Sequence, residues 1–188
     1  MNNISARTKL LIGTLLLLCG GLIPSYGSSL TIIGVIISAI GVYELRQYND
    51  NFWKYYVLTY IGIIMSFVGA IIVVSSFMTS TDLEHYSISN IQNISDQINF
   101  NDINFPMVIV GYLIIVIGFV LASLYKYKFL KEFYLFTKLR EFNIARKLLL
   151  IGVILLPLLV GIIFIIFSLF IEVVGYYKMR SEYISSAQ

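Results

Sequence analysis

The chain has 188 residues, of which 59% are hydrophobic and 12% charged, against roughly 45–50% and about 25% in ordinary soluble domains. Thirteen basic and ten acidic residues leave a net charge of +3. The basic ones flank apolar runs, which points to lipid headgroups and away from nucleic acid. Cys19 stands alone, so an intrachain disulfide is excluded, and its apolar surroundings read as those of a small buried hydrophobe.

Residues 1–21 resemble a secretory signal, with Arg7 and Lys9 ahead of the apolar run 10–18. No small-residue cleavage site and mature domain follow. Residues 22–29 instead carry Pro24, Gly27 and three serines into a second apolar run, 30–42, which predicts an uncleaved helical hairpin over 9–46. A short polar connection, 47–54, holds Asp50, Trp53 and Lys54.

Between Lys54 and Lys126 the chain has no lysine or arginine. Positive residues are retained on the cytoplasmic side of a membrane, so region 55–126 reads as a span, an outside loop over 79–105 and a second span. Each apolar run approaches the ~20 residues needed to cross a hydrocarbon core. The loop carries Asp82, Glu84, Asp96 and Asp102, and its isoleucines at 88, 91, 94 and 98 recur at helical steps. Asn93-Ile94-Ser95 fits a glycosylation acceptor on that outer side. Asp82, Glu84 and His85 read as solvated residues, and no metal or cofactor is implied.

The basic segment 127–142 interleaves cations with aromatics, as an amphipathic helix on the inner leaflet would. Lys126, Lys128, Lys131, Lys138 and Arg140 are its expected headgroup contacts. The last apolar region, 147–180, admits two readings. One helix over 148–177 would be about 45 Å long, whereas two short helices turning near 157–161 would make a hairpin. An internal repeat favours the hairpin: Lys9-Leu10-Leu11-Ile12-Gly13 matches residues 147–152, and Gly41-Val42-Tyr43-Glu44-Leu45-Arg46 matches residues 175–180.

The expected fold is therefore all-α: one polytopic membrane bundle over residues 1–188, with six transmembrane helices, or five if the last run is a single helix. The charge pattern puts the N-terminus in the cytoplasm of a plasma-membrane protein. Gly13 and Gly20, Gly34 and Gly41, Gly62 and Gly69, and Gly111 and Gly118 are each seven apart. Each pair marks one helix face on which backbones approach closely, within the bundle or against a partner. Glu172 is the exception within the apolar runs, and an ionisable residue at membrane depth is a functional candidate; the alternative places it near an interface or protonated. With one histidine and no phosphate loop or nucleophile–base pair, nothing points to an enzyme.

Residues 15–27 ending Gly20-Gly21-Leu22-Ile23-Pro24-Ser25-Tyr26-Gly27, then 32–37 and the exit Tyr43-Glu44-Leu45, resemble the domain-of-unknown-function family 996. Residues 150–152 and 161–163, running to Tyr176, resemble its tail. The likeness covers about the first seventy and last forty residues and does not reach the middle. It implies a small prokaryotic multi-span membrane protein without an assigned activity. Two functions remain. The first is a structural or accessory subunit that contacts lipids and other membrane subunits, or itself. The second is a small transporter or channel using Glu172.

Overall fold

The computed structural model describes residues 3–22, 27–78, 104–155 and 160–179. Six helices follow one another: α1 (Asn3–Leu22), α2 (Gly27–Leu45), α3 (Asp50–Met78), α4 (Phe105–Thr137), α5 (Arg140–Ile154) and α6 (Val160–Lys178). Among the described residues there are no strands. Four helices (α2, α3, α4 and α6) are long and apolar enough to cross a membrane.

Two helix starts are written in the sequence. Asn49 accepts from the backbone N–H of Asn51 at 2.9 Å at the head of α3, and Asn104 accepts from that of Met107 at 3.3 Å at the head of α4. Both satisfy donors that a helix start leaves without partners.

The structure differs from the sequence reading over the basic segment. Residues 127–137 belong to α4, whose 33 residues extend about 50 Å. The segment continues the helix because Phe129, Leu130 and Phe133 are buried in the core. Lys138 then turns the chain in the left-handed region, φ 56°, and α5 begins at Arg140. The last run is two helices, as the internal repeat favoured, with α5 ending at Ile154 and α6 starting at Val160. Cys19 is exposed on α1 rather than buried.

The chain divides into two compact units, Met1–Tyr60 with Ala122–Gln188, and Ile61–Leu121. In the second unit α3 and α4 run antiparallel with almost no space between them. A Cβ built on Gly69 would stand 2.7 Å from the Gly111 carbonyl oxygen, and one on Gly118 would stand 2.6 Å from that of Gly62. Ser66 donates to the Ile115 carbonyl at 3.1 Å, a bond between helices at a small-residue contact.

The first unit is built on two antiparallel hairpins, α1–α2 and α5–α6. Gly13 lies against Gly34 and Ser38, and Gly20 against Gly27 and Thr31. In the other hairpin Gly152 lies against Gly161, and Ser168 donates to the Ala145 carbonyl at 2.8 Å. An aromatic core fills this unit around Phe133, whose ring is 4.6 Å from Phe52, 4.9 Å from Phe129, 5.2 Å from Phe142 and 5.4 Å from Tyr176. Such pairs stabilise beyond the area they bury.

The two hairpins repeat one another. The buried α2 residues Gly27, Gly34, Ser38, Gly41, Val42 and Leu45 correspond at one constant offset to Gly161, Ser168, Glu172, Gly175, Tyr176 and Met179, all buried. Lys9 pairs with Glu44 at the end of the first hairpin. At the matching place in the second, Glu141 pairs with Lys178 at 2.5 Å, the charges exchanged. The contacts fix the register of α5: Glu141 is the counterpart of Lys9 and Gly152 that of Gly20. The sequence match of 9–13 with 147–152 is thus displaced from the structural equivalence.

Candidate functional site

Glu172 stands in α6 with 1% of its side chain exposed. Lys126, from the part of α4 in the same unit, donates to Oε1 at 2.7 Å. The Tyr176 hydroxyl donates to the same oxygen at 2.9 Å; it is one helical turn on, at the spacing that brings side chains together. Oε1 therefore receives two donors. Oε2 is buried and has no hydrogen-bond partner among the described residues.

Lys126 is less enclosed than its partner, with 23% of its side chain exposed, and its ammonium lies 5.0 Å from the centre of the Phe129 ring. A lysine stem can lie along apolar surface while its head reaches a polar partner. The pair carries no net charge, which makes its burial tolerable.

Hydroxyls complete the neighbourhood. Tyr56 and Tyr60, one turn apart in α3, hold their rings tilted by 50° with centres 4.8 Å apart. Tyr56 donates to the Val35 carbonyl at 2.8 Å, and beside it Ser38 is buried on α2. The Ser38 hydroxyl also has no hydrogen-bond partner among the described residues. Ser38 and Glu172 are the matching positions of the two hairpins, so the two unpartnered buried oxygens occupy equivalent places.

At the end of the unit where α1, α3 and α5 begin, charges and polar groups tie the helices together. Arg7 donates to the Tyr176 carbonyl at 3.1 Å and to that of Tyr177, the favourable place for a cation at a helix C-terminus. Lys9 reaches Glu44, Glu141 reaches Lys178, and Asn49 donates to Glu132 at 3.0 Å. Lys178 donates to Glu141 and, with the glutamate's own backbone N–H, holds its carboxyl below the usual range.

The sequence candidates fall into distinct places. Glu172 is at the centre of the network. Lys126, expected at lipid headgroups, turns inward to it. Lys128 stays exposed and lies over the rings of Tyr125 and Tyr55, at 5.3 and 5.9 Å; Lys131, Lys138 and Arg140 are also exposed. Gly13, Gly20, Gly34, Gly62, Gly69, Gly111 and Gly118 all lie at close contacts between neighbouring helices, and Gly41 packs against Ala6, Lys9 and Leu10. Asn93 and the group Asp82, Glu84 and His85 lie outside the described residues.

Sequence reasoning missed Lys126 as the partner of Glu172, because a contact between α4 and α6 leaves no local pattern. It also passed over Tyr176 and Ser38. Both were signalled, Tyr176 by its spacing from Glu172 and Ser38 by the repeat that aligns Gly41 with Gly175.

One family model matches the chain, over residues 30–169, and its description is protein of unknown function (DUF996). The match runs through the middle of the chain, which the sequence resemblance did not reach. No curated protein and no solved structure matches.

Proposed function

The chain belongs to the DUF996 family of proteins of unknown function, and from that premise we propose that it is a non-catalytic scaffold of the plasma membrane, an accessory subunit of a larger membrane complex. One observation carries the reading: the deep charge of Glu172 is neutralised inside the chain by Lys126. Less than two turns, about 9 Å, separate Glu172 from Lys178 at the basic end of α6. An ion pair inside the chain ties α4 to α6, which is a structural role.

The outer faces of the helices are apolar, with Ile32, Ile36, Ile64, Phe67, Ile109 and Leu113 among the exposed side chains. These are surfaces for lipid and for neighbouring subunits. The unit Ile61–Leu121 contains none of the thirteen basic residues, so we place the basic end, the N-terminus included, in the cytoplasm. Six crossings fit this arrangement. Although α5 has only 15 residues, it accompanies α6 from Glu141 at Lys178 to Gly152 at Gly161.

Purification from native membranes in mild detergent tests the proposal. Stoichiometric membrane-protein companions surviving size separation are the expected result. A clean monomer or small homo-oligomer overturns it. That outcome would favour the second reading, a small transporter or channel, whose support is the free Oε2 atom of Glu172; Glu172→Gln would then abolish flux in vesicles.

A further inference from the structure

We propose that Glu172 is an exchange site at which a small hard monovalent cation of the sodium class competes with the ammonium of Lys126. The inference goes beyond the scaffold reading and does not depend on it, since a subunit or an independent protein could equally carry such a site.

The asymmetry of the carboxylate comes first. Oε1 holds both donors, while Oε2 is buried with none among the described residues. Leaving a charged acceptor without a partner is costly, and such an atom calls for an occupant. The Tyr176 hydroxyl, 2.9 Å from Oε1, adds an oxygen to those of the carboxylate. Oxygen donors of that kind suit hard cations rather than soft metals.

Charge decides how the site can be filled. Adding a cation beside an intact Glu172–Lys126 pair would bury a net positive charge, which the interior resists. Replacing the ammonium by a cation keeps the site neutral. Lys126 has a way out that Glu172 lacks: 23% of its side chain is already exposed against 1%, and a lysine stem can carry its head to an interface. The face of Phe129, 5.0 Å from the ammonium, remains available to it.

The test uses the full chain in detergent, with unfolding midpoints recorded in sodium chloride and in choline chloride at equal ionic strength. In the wild type, sodium should raise the midpoint saturably above choline. Lys126→Gln removes the competitor and should lower the sodium concentration at half-effect by about tenfold or more, a shift of at least ~1.4 kcal/mol. Glu172→Gln should abolish the difference between the two salts. Equal midpoints in sodium and choline for both wild type and Lys126→Gln would overturn the proposal, leaving Oε2 to an ordered water. If Lys126→Gln does not fold, the decision passes to retention of radiolabelled sodium by wild type and Glu172→Gln. Saturable retention weakened by the substitution supports the site, and absence of retention or an unchanged affinity overturns it.

Discussion

Removing Lys126 leaves Glu172 as a buried charge with only Tyr176 as a donor among the described residues. Truncating one partner of a buried pair costs about 3–5 kcal/mol, so Lys126→Ala should unfold the protein at markedly lower temperature. Glu172→Gln should cost less, because the amide keeps an acceptor for Tyr176 and leaves the partly exposed lysine free to seek water. Thermal unfolding of the two variants in one detergent checks the order. Lys138 offers a gain instead. It holds φ 56° at the end of α4, a conformation costing a residue with a side chain about 1–2 kcal/mol. Lys138→Gly should recover about 1 kcal/mol there.

The Glu141–Lys178 pair sets a pH dependence of known sign. The folded protein holds the Glu141 carboxyl below its ordinary value, chiefly through the hydrogen bond from Lys178. Its contribution is therefore complete above the ordinary glutamate pKa of about 4.3 and is lost as the pH falls through the lower folded value. Unfolding midpoints recorded from neutral pH downward should decline less steeply below that point in Glu141→Gln than in wild type.

Among the helices, glycines decide how close two backbones come. Gly118→Ala would drive a Cβ to 2.6 Å from the Gly62 carbonyl and the Ser66 backbone nitrogen, and neither can move without shifting its helix. A loss of about 1–3 kcal/mol follows. Gly21 is the control: nothing lies within 4 Å of a Cβ built there, so Gly21→Ala should stabilise α1 by roughly 0.5–1 kcal/mol. The two variants, measured side by side by thermal unfolding, should move in opposite directions. The seven-residue glycine spacing was plain in the sequence, because a face repeats every two turns. Which face meets which was not, because spacing within one helix carries no information about its neighbour. Gly13 meets Gly34 and Gly69 meets Gly111 only once the hairpins close. The length of α4 was hidden for a related reason: its basic last turns look like a surface helix until Phe129 and Phe133 are seen inside the core.

Across the whole molecule, the orientation we propose rests on where the cations stand and is open to labelling. With Cys19 replaced, a single cysteine at Lys131 should react with a membrane-impermeant maleimide only after cells are opened, and one at Asn93 should react in intact cells. The reverse pattern would invert the topology. The sequence by itself determined the all-helical class, the apolar runs and the charge asymmetry, because each is a property of a contiguous stretch. It also carried the likeness of the two end hairpins, visible in residues 41–46 and 175–180. Only the tertiary structure decided the register of that repeat, the division of the last run into two helices and the pairing of Glu172 with Lys126. Those depend on groups far apart in the chain, and burial makes an unpaired charge far costlier than any local pattern can signal.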